Sequence, residues 1–171
     1  MGEFAIGQPV KRTEDPRLLK GLGRYIEDIN LAGQAYATIV RSPHAHARIR
    51  RIDTGLALAM RGVLSVLTGA DCEADGLGHL PCDQNRLSRD GADMYRPPRP
   101  ILVRERVRLV GDYVAMVVAE TAAAARDAAE RVTVDYATLP AVTNPAMAAE
   151  ANAPQLWEDC PSNECFFHED G

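Results

Sequence analysis

Apolar side chains recur along this chain with two periods, and each change of period marks a new element. Ala35–Arg41 and Ala47–Asp53 are short runs with β-branched residues, the first set off by Ala32-Gly33-Gln34 and the second by a proline-bearing turn, and both read as strands. Thr54 is placed to N-cap a short helix, Gly55 to Met60, which stops at a cation followed by a glycine, Arg61-Gly62. A buried strand, Val63 to Thr68, follows directly. The order then recurs. Tyr113–Ala119 is a nearly continuous apolar run, as expected of a strand covered on both faces. Thr121 is placed to cap an alanine-rich helix, Ala122 to Glu130, whose Ala122, Ala125 and Ala129 form one face small enough to approach a sheet closely. Arg131–Tyr136 alternates as a strand, and Leu139-Pro140 ends the unit because proline cannot donate to a central ladder. Two strand–helix–strand units predict an α+β fold built around a mixed sheet.

The flanking segments read differently. Residues 1–24 form an arm in which Lys11, Arg12, Glu14, Asp15, Arg17 and Lys20 alternate in sign without an apolar period. Met1-Gly2-Glu3-Phe4 reads as a cloning junction and carries no structural weight. The folded domain is expected over residues 25–142. Ala70 to Pro100 is a long polar stretch with three glycines (Gly76, Gly78, Gly91) and four prolines, expected to be a loop that is mobile or ordered only by a partner. Residues 143–171 read as a linker and the start of a further element: Asn144-Pro145 opens a short alanine-rich helix, and Trp157 and Phe166-Phe167 follow.

Composition narrows the class. With 171 residues, 46% of them hydrophobic and 25% charged, the chain suits one soluble domain able to bury a core. A net charge of −5 disfavours nonspecific nucleic-acid binding. No apolar run approaches the roughly 20 residues of a membrane span, so a cytoplasmic protein is expected. Cys72, Cys82, Cys160 and Cys165 fall in no zinc spacing and read as free thiols; a site from Cys160, Cys165 and His168 would lack a fourth ligand.

Candidate chemistry is sparse. His44 and His46 alternate along extended backbone and point to opposite faces, which favours structural hydrogen bonding in a turn over shared metal ligation. Asp83–Leu87 lacks the later acidic residues and glycine of a calcium loop. Gly21-Leu22-Gly23 has no strand before it or helix after it, so it is no dinucleotide loop. The pairs Glu14/Asp15 and Glu27/Asp28 sit in polar surroundings and read as solvated charge. The strip Arg104–Arg108 could grip a phosphate but better suits a sheet edge that resists mispairing. The residues alone thus assign no catalytic, cofactor-binding or metal-binding side chain.

One string is more specific. Arg41-Ser42-Pro43-His44-Ala45-His46-Ala47-Arg48-Ile49-Arg50-Arg51-Ile52-Asp53 resembles the R-S-P-H-A-H-A-R-I-x-x-I-D segment of the large, molybdenum-cofactor-binding subunit of the xanthine dehydrogenase, aldehyde oxidase and carbon monoxide dehydrogenase group. The similarity extends through Ile6–Arg12, Glu14–Leu19 and Gly21–Asp28, through Gly62-Val63, Val66–Thr68 and Val107–Gly111, to Val132–Tyr136 and Leu139–Val142; Asn163 matches a further family asparagine.

The resemblance implies an amino-terminal α/β-hammerhead domain of a molybdenum hydroxylase, a class that oxidises aldehydes, N-heterocycles or CO with water as oxygen source. It implies that this chain holds no cofactor. The molybdenum–pterin, in its cytosine dinucleotide form, would be bound by later domains, and 2Fe–2S clusters and FAD by partner subunits. The family's glutamate base lies in later sequence, so this chain is expected to be inactive alone and to act in docking. In that setting Arg12, Glu14, Asp15 and Arg17 of the arm, Tyr25 and Asp28 just after it, and Arg41, Ser42, His44 and His46 of the turn are the expected contact residues toward the remaining domains or the iron–sulfur partner. The competing reading is a free-standing, non-catalytic binding module that uses the same domain.

Overall fold

The computed structural model describes residues 11–160 and 162–169, so Ile6–Val10 of the expected arm lie outside the described residues. The chain divides into two units at Gln34/Ala35.

In the first unit, α1 spans Asp15–Leu18, with proline at its start, and a single 3-10 turn spans Ile26–Asp28. The sequence reading expects no element here. Both are local turns, and α1 buries none of its residues. Tyr25 N donates to Asp28 Oδ2 at 2.9 Å, which closes the 3-10 turn from its own carboxylate.

The second unit comprises β1 (Tyr36–Arg41), β2 (Ala47–Asp53), α2 (Gly55–Leu58), β3 (Val63–Thr68), α3 (Gly69–Ala74), β4 (Arg106–Val107), β5 (Tyr113–Ala119), α4 (Ala122–Ala129), β6 (Thr133–Thr138) and α5 (Pro145–Ala148). Both expected strand–helix–strand units are present, β2–α2–β3 and β5–α4–β6. Their strands do not share one mixed sheet, however. They form two antiparallel sheets of three strands, ordered β1-β5-β3 and β4-β2-β6, so each unit starts in one sheet and ends in the other. A parallel return within one sheet needs a crossover of about a dozen residues or more. The four-residue α2 and its short flanks cannot supply it, and the chain passes to the neighbouring sheet instead.

Strand β5 serves both cores. Its Val117 packs with Val66, Ala57 and Ala128, while Val114, on the opposite face, packs with Ala47, Val103 and Val107. Its continuous apolar run therefore reflects burial on two sides. Helix α4 covers the first sheet. Thr121 Oγ accepts from Ala124 N at 3.1 Å, as its position predicts, but the buried stripe is Ala125 and Ala128. Ala122 is exposed and Ala129 only half-buried, because the sheet-facing line runs on toward Val132.

Three further local features differ from the sequence reading. Thr54 makes no cap; Asp53 Oδ1 accepts from Gly55 N at 3.1 Å instead. Strand β6 starts two residues later than the alternation suggests. The polar stretch after β3 opens with an unforeseen helix, α3, where the Asp71 carboxylate accepts from Thr68 N (2.7 Å) and Thr68 Oγ (2.6 Å). These bonds hold the Asp71 carboxyl below its ordinary range. At the same corner a Cβ on Gly69 would meet Arg104 N at 2.8 Å and Leu102 O at 2.9 Å, so only glycine admits that close approach. Strand β4 lies at the edge of its sheet, as the charge alternation of Arg104–Arg108 suggests.

Candidate functional site

The connection between β1 and β2 is the Arg41–His46 turn. Ser42 is 2% exposed, and its hydroxyl both donates to His44 O and accepts from His44 N, each at 3.0 Å. This ties the Pro43 bend to one side chain. The backbone of Ser42 is bound on both sides: its N–H donates to Asp112 O (2.9 Å), and its carbonyl accepts from Gly111 N (2.8 Å). His46, 6% exposed, has Nδ1 2.8 Å from Pro140 O, and its carbonyl accepts from Leu139 N. A carbonyl can only accept, so Nδ1 carries the proton, while the buried Nε2 has no hydrogen-bond partner. The His44 ring meets Tyr136 edge-on at 4.8 Å. The two histidines thus take separate structural partners.

Facing this turn is a second one, Arg108–Asp112. Asp112 Oδ2 accepts from Arg108 N at 2.6 Å and from Leu109 N at 3.2 Å. Gly111 has φ +95°, a left-handed conformation that glycine adopts without strain. Arg41 donates to Gly111 O at 3.2 Å and stacks its guanidinium 4.4 Å above the Tyr113 ring. Asp112, Gly111 and the Pro140 carbonyl carry no chemical signature in the sequence. Only the pairing of β1 with β5 and of β2 with β6 brings them to the turn.

The residues after β6 fold back on the long polar stretch. Arg89 grips Glu164 with two nitrogens (3.3 and 2.9 Å) and lies 3.9 Å over the Phe167 ring. Tyr95 donates to Asp159 at 2.7 Å; burial, then that carboxylate, pushes its hydroxyl up to about 12. Asn163 closes the tail on itself, accepting from Leu156 N and donating to Ala148 O and Pro154 O.

Where tail and sheet edge meet, Arg48, Arg104, Arg106, Arg108, Trp157 and Glu158 line a groove of about 780 Å³. Arg48 and Arg106 stand directly opposite on β2 and β4, a like-charge pair that costs stability. Glu158 compensates with a 2.8 Å ion pair to Arg106, which holds its own carboxyl below the ordinary value. Arg104 pairs with Glu73. Arg108 donates to Leu156 O and stacks 3.6 Å over Trp157, and burial lowers its affinity for the proton. The arginines of the strip Arg104–Arg108 thus find partners within the chain: Glu73, Glu158, and for Arg108 the Leu156 carbonyl and the Trp157 ring.

The arm residues form a separate, local set in the first unit. Arg17 pairs with Glu14, Arg12 O accepts from Asp15 N, and Tyr25 N is bound by Asp28. The ten expected contact residues thus fall into two clusters of different character. Cys160 is buried, and Cys72, Cys82 and Cys165 are half-buried, all as free thiols. Burial, with Cys160 a lesser contributor, pushes the Cys165 thiol up. Among the described residues no three His, Cys, Asp or Glu side chains come together as a metal ion requires, and no helix is long and apolar enough to cross a membrane.

Two antiparallel sheets linked by paired strand–helix–strand units, with a hydrogen-bonded turn at their junction, define an α/β-hammerhead domain. Residues 20–140 match the family described as aldehyde oxidase and xanthine dehydrogenase, a/b hammerhead domain, and the chain belongs to that family. The carbon monoxide dehydrogenase large chain of Afipia carboxidovorans is 42% identical over 90% of this chain and 18% of that protein. The nicotine 6-hydroxylase large subunit of Paenarthrobacter nicotinovorans is 44% identical over 82% of this chain and 16% of that protein. Among solved structures, reconstituted CO dehydrogenase from Oligotropha carboxidovorans superposes with a TM-score of 0.74 at 37% identity, covering 95% of this chain and 19% of that one. Quinoline 2-oxidoreductase from Pseudomonas putida 86 gives 0.72 at 41% identity, covering 86% and 18%. The chain therefore spans less than a fifth of the length of these relatives.

Proposed function

We propose that this chain is the amino-terminal hammerhead domain of a molybdenum hydroxylase large subunit, acting in docking within that enzyme. The parent would oxidise an aldehyde, an N-heterocycle or CO in the cytoplasm with water as oxygen source. Its molybdenum–pterin, in the cytosine dinucleotide form, would lie in later domains, and 2Fe–2S and FAD subunits would carry electrons away. The relatives support the molybdenum assignment: they include a copper- and molybdenum-containing CO dehydrogenase and a xanthine dehydrogenase molybdenum-binding subunit from Escherichia coli. No step of the molybdenum chemistry is assigned to this chain's residues.

The observation that carries the docking role is the arm. Its first unit leaves Leu19 87% and Ile26 88% exposed, beside the ion pair of Arg17 and Glu14. Covering these two side chains with a partner surface would remove their apolar area from water, and that gain is what supports the reading. Arg12, Glu14, Asp15, Arg17, Tyr25 and Asp28, with Arg41 and His44, are the residues proposed for these contacts; Ser42 and His46, expected among them, are buried and bonded within the chain, and hold the turn from inside instead. Hydrogen exchange tests it. In the 171-residue chain alone the arm should exchange fast while β1 and β5 stay protected, and in the full complex the arm should slow markedly. Equal exchange of the arm in both states would remove the docking role.

A further inference from the structure

Resting on the large-subunit reading above, we infer that the Arg108–Asp112 turn is a preorganised anchor, and that Leu109 and Val110 seat in an apolar recess of the remaining large-subunit polypeptide. These adjacent side chains are 56% and 64% exposed. Single exposed apolar residues are ordinary on protein surfaces. What sets this pair apart is how firmly the backbone beneath it is held. The Asp112 carboxylate takes two of the turn's N–H groups, Ser42 takes the Gly111 N–H, Asp112 O accepts from Ser42 N, and Arg41 donates to Gly111 O. The conformational entropy of presenting Leu109 and Val110 is thus already spent in the folded unit, and association costs correspondingly less.

The size of the anchor selects its occupant. A stable contact between separate proteins buries about 800 Å² on each partner, and two side chains fall far short of that. A covalently attached domain meets its neighbour at an effective concentration in the millimolar range, where so small an anchor suffices. Relatives carry more than four-fifths of their length outside the matched region, so the same polypeptide can supply the recess.

The test uses the natural full-length gene product purified with its partner subunits. Reading the gene comes first: a stop codon after Gly171 ends the large-subunit reading itself, before any variant is made. Given a continuing chain, a photo-crosslinker replacing Val110 (Val110→p-benzoylphenylalanine) should join residues of the same polypeptide beyond position 171. Crosslinks to the iron–sulfur or FAD subunit, crosslinks to a second copy, or none at all would each overturn the inference. The double variant Leu109→Asp, Val110→Asp should weaken attachment of the domain by about tenfold, read as faster release in limited proteolysis. Release at the wild-type rate would count against the anchor, and if the double variant does not accumulate, the crosslinks decide alone.

Discussion

The arm and the Arg41–His46 turn carry the same kind of sequence, polar and charged with scattered glycine or proline, yet they are held by different physics. Arm contacts join residues three apart in the chain, Arg17 to Glu14 and Tyr25 to Asp28, and they lie in water. The turn is bound by residues far along the chain, Gly111, Asp112 and Pro140, around a serine and a histidine that are almost wholly buried. Charge density therefore says little about whether a segment is fixed. What matters is whether its polar groups meet partners out of water, where a lost bond costs the full desolvation of whatever it leaves unpaired.

Substitutions put numbers on that contrast. Ala125→Leu sets the scale for the folded unit: Ala125 is fully buried on the α4 face that lies over β5, and overpacking should cost roughly 1–3 kcal/mol. An unchanged thermal midpoint would mean that α4 does not pack as described. Asp112→Ala strands the Arg108 and Leu109 N–H groups and should cost about 1–2 kcal/mol. Ser42→Ala removes two bonds to His44 and should cost about 1 kcal/mol in the same assay. Arg17→Ala in the arm should change stability by less than about 0.5 kcal/mol. A loss from Arg17→Ala as large as that from Ser42→Ala would erase the distinction between the regions.

Acid supplies a gentler probe. Arg106 holds Glu158, and Arg89 holds Glu164, below the ordinary glutamate value of 4.5. A carboxyl depressed in the folded state contributes stability that is present above its unfolded value and is lost as pH falls through the folded value. The tail should therefore loosen only below pH 4.5, followed through Trp157 fluorescence. Loosening that begins near neutral pH would show that other groups hold the tail.

Much of the domain was legible beforehand, because its signals are local. The bounds of β2, β3 and β5 follow from composition and alternation, and the Thr121 cap follows from one hydroxyl at a helix start. Helix α3 was readable too: Thr68 and Asp71 stand three apart in capping-box spacing, but the surrounding polar residues and glycines masked it. The Arg41–His46 turn was recognisable as a string, and the alternation of its histidines already separated their roles. The tail clasp was not legible. Arg89 and Glu164 are 75 residues apart, and Tyr95 and Asp159 are 64 apart, and nothing in either segment names the other.

By itself the sequence determined the periods, the Thr121 cap, the family-specific string and hence the identity of the main elements, since each depends on side chains within one or two turns of backbone. Only the tertiary structure decided that two crossing units would split between two antiparallel sheets. It alone made β5 serve two cores, and it alone set a turn of charged and polar residues on acceptors from beyond residue 110. The physical reason is that pairing between distant strands is settled by which apolar faces are buried together and which backbone groups are satisfied, and both are properties of the assembled chain.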